Sequence, residues 1–193
     1  ILQTPPPLPT KGGSFNWTFT GKVVAMDNGA RFLKQPVVQQ LLKLKSLEVI
    51  AFDPAGELNN DPAAKTEGVH YYAGALLGSG EPTTLYACLE PAQSATLMPL
   101  DNEWLPTTLR NASKVLAKLP VNSLALDNIE GLPALDWLIL DAKHNASKIL
   151  ENGSNTLKST LLLDVNVAFQ PTHEHQPNLA ELQHWASRNG FRF

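Results

Sequence analysis

Short apolar runs and helix-like stretches alternate along this 193-residue chain. GKVVAM (21–26) and LEVIAF (47–52) are almost wholly apolar, which predicts two buried strands. PVVQQLLKLK (36–45) lies between them with apolar residues at helical spacing, and Pro36 suits a first helical turn. The pattern therefore predicts a strand–helix–strand unit over 21–54, with parallel strands and a right-handed crossover.

Further apolar or alternating runs predict strands at 69–77, 83–89, 135–141 and 160–169. The segment 112–126 is ambiguous, because its alternation favours an extended structure while its composition also tolerates a helix.

Two more helices are predicted in the second half of the chain. The first, at 146–152, is expected to end at Gly153. The second, at 177–190, stops at Asn189-Gly190, and its inward side chains are predicted to be Leu179, Leu182, Trp185 and Ala186. The closing FRF predicts the start of another strand.

The alternation of strands and helices predicts an α/β fold with a doubly wound, mostly parallel sheet. Residues 1–20 hold a proline cluster and Gly-Gly, which are typical of an extended arm. No second compositional regime follows, so residues 21–193 are predicted to form a single domain.

Composition and charge exclude several classes of partner. Apolar residues make up 43% of the chain, charged residues 17%, and the formal net charge is −3. Without a Lys/Arg-rich run we expect no nucleic-acid partner, and without an apolar run of ~20 residues no membrane span. Cys88 is the only cysteine, which favours a reducing compartment and a cytoplasmic location. The oligomeric state is left open.

Three predicted strands end in candidate site residues. Gly29, in the turn after Asp27, permits close backbone approach, and Asp53 follows at a distance typical of an acid that binds a ribose. Asp141 ends a third strand. Each also has a plain structural explanation, Gly29 as a turn and Asp53 as a cap. The dinucleotide fingerprint is absent, because Phe32-Leu33 replaces its further glycines.

Two weaker candidates lie elsewhere in the chain. His173 and His175 would face one side of an extended segment and could bind a metal, although a solvated loop is the commoner case and no metal is predicted. Cys88 lies in a predicted strand without a paired histidine, which argues against a nucleophile.

A series of short motifs in the second half of the chain follows the order seen in one family. They are Leu126-Asp127, the strand that ends at Asp141, Ile149-Leu150, Gly153, Phe169-x-Pro171 and Gly190-Phe191. With them the chain resembles, from about residue 21 to its end, the FkbM-type family of S-adenosylmethionine-dependent methyltransferases. The segment TTLYACLEPAQSATLMP is similar to the middle of that family.

The resemblance implies a Rossmann-like fold of the class I methyltransferase type with S-adenosylmethionine as cofactor. The family's first motif falls on Asp27, Gly29 and Ala30, and its ribose-binding acid falls on Asp53.

Several family positions differ in this chain. Leu33 replaces a glycine and would obstruct the methionine end of the cofactor, and Ile139 replaces a lysine. Lys143-His144 replaces Glu-Gly, and Asn166 replaces an acid.

The expected activity is methyl transfer from S-adenosylmethionine, by the resemblance to a hydroxyl of a small molecule or a saccharide. Asp141 and His144 are the predicted catalytic residues, as general bases for the acceptor hydroxyl. Two alternatives remain open: a catalytically inactive methyltransferase-like domain with a binding or scaffolding role, and an unrelated α/β enzyme.

Overall fold

The computed structural model describes residues 20–192, so the predicted arm at 1–20 lies outside the described residues except for Thr20. The strands are β1 (Val23–Asn28), β2 (Leu47–Asp53), β3 (Val69–Ala73), β4 (Pro82–Cys88), β5 (Val115–Asn122), β6 (Trp137–Leu140) and β7 (Leu162–Val165). The helices are α1 (Pro36–Lys43), α2 (Thr107–Ala112), α3 (Ala146–Glu151) and α4 (Leu179–Arg188).

The main sheet has five parallel strands in the order β3-β2-β1-β6-β7. The strand–helix–strand unit predicted at 21–54 is confirmed, with β1 and β2 in parallel register from Val23 opposite Leu47. β1 extends two residues beyond its predicted end, so Asp27 belongs to the strand itself.

Both faces of the sheet are covered at its central strands β1, β2 and β6, which explains why these strands have nearly continuous apolar runs. Met26 and Leu138 point into one core cluster together with side chains of α3 and α4. Ala25 and Val49 point into a second cluster together with side chains of α1. Helices therefore cover both faces, and the predicted α/β class with a doubly wound parallel sheet is confirmed.

The segment predicted as a strand at 83–89 does not join the main sheet. It forms β4, which pairs antiparallel with β5 in a separate ribbon of two strands. β5 confirms the extended interpretation of 112–126, since it is a strand of eight residues. Local pattern identifies a strand but not its partner, because pairing depends on residues far apart in sequence.

Two expectations near helix ends are wrong, and a third is confirmed for a different reason. Leu179 is 56% exposed, at the start of α4 rather than on its inner face. The predicted end of α3 at Gly153 is confirmed, but this glycine has no positive φ and is not a left-handed cap; instead, a Cβ there would lie 2.6 Å from Leu126 Cδ2. Phe191 is not in a strand, and its ring stacks on Trp185 with centroids 6.2 Å apart.

Within residues 20–192, none of the helices combines the length and the apolar character that crossing a bilayer requires.

Candidate functional site

The strand order reverses between β1 and β6, and this is where open α/β sheets bind ligands. The chain passes from β1 to β2 and β3 on one side, whereas β6 and β7 lie on the other. Gly29 and Asp141 follow the ends of β1 and β6 and meet at this point. A Cβ on Gly29 would lie 2.9 Å from Asp141 Oδ2, so only glycine leaves room for that carboxylate.

Asp27 holds the turn after β1. Its Oδ2 accepts the backbone N–H of Phe32 at 2.8 Å, and only 2% of the residue is exposed. Burial raises the pKa of Asp27 to about 7; the Phe32 N–H opposes this rise and the Asp141 charge adds to it. Ala30 in the same turn is buried and has φ +55°. Both residues stabilise the turn rather than present polar groups to solvent.

One oxygen of the Asp53 carboxylate is already paired within the protein. Its Oδ2 accepts the Leu58 backbone N–H at 2.8 Å and the Tyr71 hydroxyl at 2.7 Å. Asp53 is 1% exposed, and Tyr71 reaches it from the neighbouring strand β3. The residue therefore lies at the predicted strand end but serves as a cap that joins β2 to β3.

Lys143 occupies the space beside Asp141. Its Nζ lies 3.4 Å from Asp141 Oδ2 and donates to the Ala92 carbonyl at 2.8 Å, while its backbone N–H donates to Asp141 Oδ1 at 2.9 Å. Lys143 is only 8% exposed. This buried ion pair lies within the loop that follows β6 and is tied by Lys143 to the segment around Ala92.

Burial alone would raise the pKa of Asp141, but neighbouring positive groups hold it below its ordinary value. The His144 ring is nearby, with Nε2 3.9 Å from Asp141 Oδ1. Burial, however, lowers the pKa of His144, so at pH 7 this ring is neutral and the Lys143 ammonium supplies the stabilising charge.

The structure brings the two predicted catalytic residues together but encloses one of them. His144 is 2% exposed, and its Nδ1 lies 3.0 Å from the Thr96 hydroxyl. A general base must be within hydrogen-bond reach of the proton that it removes. The ring of His144 contacts Thr96 and Asp141 and has no opening to a ligand. Of the two predicted catalytic residues, Asp141 is therefore the better placed to act as a general base.

Leu33 does not lie over the cleft. It is fully buried in the core cluster that contains Val38 and Leu42 of α1. The predicted obstruction by Leu33 is therefore wrong, and it is Lys143 that fills the space.

A cavity of about 200 Å³ adjoins Asp141 and Lys143. Its polar walls include Asn166, which the sequence analysis identified as replacing a family acid. They also include side chains that sequence reasoning did not group with the site: Arg31, Gln93, Ser113, Thr172 and His173. Arg31 directly follows the glycine turn, and Asn166 follows β7, so strand-end position was a usable signal for both. His173 comes from a distant loop that pairs with Pro99, a contact that no local pattern indicates.

His173 and His175, the two histidines considered as metal ligands, lie in different surroundings. His173 is 5% exposed, whereas His175 lies on the surface with φ +53°. In the part of the chain that the structure describes, no three His, Cys, Asp or Glu side chains form a group that could hold a metal ion.

The residues at this site do not fit S-adenosylmethionine as they stand. The Asp141 carboxylate fills the space over Gly29, and Tyr71 and Leu58 occupy the carboxylate oxygen of Asp53 that they share. The adjoining cavity is also smaller than the roughly 300–1,000 Å³ typical of cofactor sites. Binding would require Lys143 and Asp141 to move.

Comparisons with protein-family models, with curated proteins and with solved structures give no match for this chain.

Proposed function

We propose that this chain is a methyltransferase-like domain whose cleft binds a ligand but does not transfer methyl groups. The observation that carries the proposal is the Lys143 ammonium, buried in the cleft and paired with Asp141 at 3.4 Å. In the family that the chain resembles, an acid takes the place of Lys143. The replacement reverses the charge at the centre of the cleft.

The positive charge of the cleft also argues against binding of the methyl donor. The methyl donor is a sulfonium cation, and a like charge within ~4–6 Å opposes the binding of a cation. Lys143 and Arg31 both carry positive charge at this edge of the sheet. A site built in this way suits an anion better than a sulfonium.

A second candidate function is methyl transfer itself, and one observation favours it. Asp27, Gly29, Asp53 and Asp141 gather at one sheet edge, and the charges of Asp53 and Asp141 both act on Asp27. In this candidate Asp27, Gly29, Ala30 and Asp53 would hold S-adenosylmethionine. Asp141 would take the proton of an acceptor hydroxyl on a small molecule or saccharide, after Lys143 has left the cleft.

Calorimetric titration with S-adenosylmethionine and with S-adenosylhomocysteine separates the two candidates. The proposal predicts no binding to the unaltered chain at millimolar concentrations of either compound. Micromolar binding that an Asp53→Ala variant loses would contradict the obstruction by Lys143, and transfer of a labelled methyl group to an acceptor hydroxyl would then establish the second candidate. The Asp53→Ala control distinguishes binding at the strand ends from binding elsewhere on the surface.

A double substitution tests whether the cleft residues are the obstacle. Lys143→Glu with His144→Gly restores the two residues of the family, and we expect it to gain affinity for S-adenosylhomocysteine. Lys148→Glu is the matched control, because it makes the same charge change at an exposed position of α3. Equal binding by the double variant, the control and the unaltered chain would contradict the role given to Lys143.

The finer class of the fold belongs to the same proposal. A parallel sheet in the order β3-β2-β1-β6-β7 supports a class I methyltransferase type of domain. A cytoplasmic location likewise remains a prediction that depends on the single residue Cys88.

A further inference from the structure

We propose that Asn189-Gly190, at the end of α4, is a site of spontaneous deamidation, a modification independent of the ligand-binding role proposed above. The backbone nitrogen of Gly190 attacks Cγ of Asn189, and the side-chain nitrogen leaves as ammonia together with the amide hydrogen of Gly190. Water then opens the cyclic succinimide, restores that hydrogen and supplies the hydroxyl of the new carboxyl group. The product is aspartate or isoaspartate, according to which carbonyl carbon the water attacks.

Three Asn-Gly pairs occur in the chain, at Asn28, Asn152 and Asn189. Glycine favours ring closure at all three, because it has no side chain to hinder the attacking nitrogen. The sequence therefore does not distinguish the three pairs. The structure does, because the reaction needs an accessible asparagine and a glycine N–H that the fold does not hold in place.

Asn28 is enclosed by the main sheet. It is 0% exposed, and its Oδ1 accepts the Leu77 backbone N–H at 3.0 Å. The N–H of Gly29, which would have to attack, donates to the Phe52 carbonyl at 2.9 Å. Ring closure at this pair would break the end of β1.

Asn152 is half-buried and also held by the fold. Its Nδ2 donates to the Lys148 carbonyl at 2.9 Å, and the Gly153 N–H donates to the Leu150 carbonyl at 3.3 Å. Gly153 itself is buried against Leu126. This pair is therefore more reactive than the first, but its attacking nitrogen remains fixed.

Asn189 and Gly190 are both exposed, and the attacking nitrogen is the least restrained of the three. The Gly190 N–H donates to the Ser187 carbonyl at 3.5 Å, the longest of the corresponding bonds. Nδ2 of Asn189 donates to the Trp185 carbonyl at 2.8 Å, so the last turn of α4 must open before the ring can close. Helix ends fray, whereas the middle of a buried sheet does not.

The modification would change how α4 ends. Gly190 has φ +87°, and the Phe191 N–H donates to the Ala186 carbonyl at 3.0 Å, which together form a Schellman cap. Isoaspartate adds a methylene group to the backbone before Gly190 and shifts both residues of the cap. Phe191 would then lose its stacking on Trp185, and both rings line the groove between α4 and β7. The new carboxylate also opposes the dipole of α4 at its C-terminus.

The test follows deamidation of the folded chain by peptide mapping with mass spectrometry. A mildly alkaline buffer is used, because the attacking amide nitrogen must lose its proton. We expect Asn189 to react at least roughly tenfold faster than Asn28, since its end of α4 opens locally. Asn152 should lie between them. The same chain in denaturant is the control, and there the three pairs should react at similar rates.

Two results would overturn the site. One is equal rates at Asn189 and Asn28 in the folded chain. The other is an unchanged Asn189 over the time in which the denatured chain is converted.

Variants locate the reaction and its effect. Asn189→Gln keeps an amide but would need a larger ring, so it should abolish the mass change in this peptide, whereas Asn152→Gln is the matched control and should leave it. Asn189→Asp has the new charge without the longer backbone. The Phe191 amide should therefore exchange its hydrogen faster in the isoaspartate form than in Asn189→Asp. Equal exchange in these two forms and in the unaltered chain would overturn the effect on the end of α4.

Discussion

The carboxyl group of Asp27 makes the free energy of unfolding depend on pH. Burial raises its pKa from the usual 3.8 to about 7. The folded chain therefore takes up a proton between about pH 4 and 7 that the unfolded chain does not hold. By linkage, the contribution of Asp27 to the free energy of unfolding is largest below pH 4, falls as the pH rises to about 7, and then levels off.

Asp27→Asn should remove this pH dependence. The amide oxygen of asparagine can still accept the Phe32 N–H, but the side chain no longer titrates. The pKa difference corresponds to at most about 4 kcal/mol between pH 4 and 7, which is an order of magnitude only. Denaturant unfolding at several pH values should show a smaller fall for the variant than for the unaltered chain. Parallel pH profiles would contradict the raised pKa.

Lys143 stabilises the fold through its charge, because its buried ammonium is the partner of the Asp141 carboxylate. Lys143→Ala would leave Asp141 buried without its ammonium partner, which typically costs about 3–5 kcal/mol. Lys22→Ala is the control, because its pairing with Glu48 at 3.6 Å is far more exposed and should cost less than about 1 kcal/mol. Equal losses in unfolding free energy for the two variants would show that the buried pair has no special role.

At the scale of elements, Gly153 after α3 is required by the packing around it and not by its backbone conformation. Gly153→Ala would place a methyl group 2.6 Å from Leu126 Cδ2 and 3.2 Å from Leu126 Cβ. Such overpacking usually costs about 1–3 kcal/mol. Gly21→Ala is the control, since nothing lies within 4 Å of its Cβ position. Thermal unfolding should show a lower midpoint for the first variant only.

The same scale shows what the sequence can and cannot predict. The strands β1, β2 and β6 are recognisable because both of their faces are buried and their apolar runs are continuous. Asp53 and Asp141 were placed correctly because a strand end fixes where a residue lies. Their contacts were not predictable, because Tyr71 reaches Asp53 from another strand and the Lys143 ammonium beside Asp141 also binds the distant Ala92 carbonyl. The separate pairing of β4 with β5 is of the same long-range kind.

For the whole molecule, the two sheets differ in how deeply they are buried. β1 and β2 have mostly buried residues, whereas β5 is exposed along most of its length. Backbone amides open locally where few apolar contacts protect them. We therefore expect the β4–β5 ribbon to exchange its amide hydrogens faster than the central strands of the main sheet.

Substitution of Ser123 tests whether the β4–β5 ribbon opens independently of the main sheet. Its buried hydroxyl accepts the Gly80 N–H at 3.1 Å and donates to the Glu81 carbonyl at 2.8 Å, which joins the end of the ribbon to the loop before β4. Ser123→Ala should speed exchange in β4 and β5 while leaving β1, β2 and β6 unchanged. Ser46→Ala, which removes a buried hydroxyl bonded to the Leu41 carbonyl, is the matched control and should not affect the ribbon. If Ser123→Ala speeds exchange equally in both sheets, the ribbon and the main sheet open as one cooperative unit, and the expected independence of the ribbon is wrong.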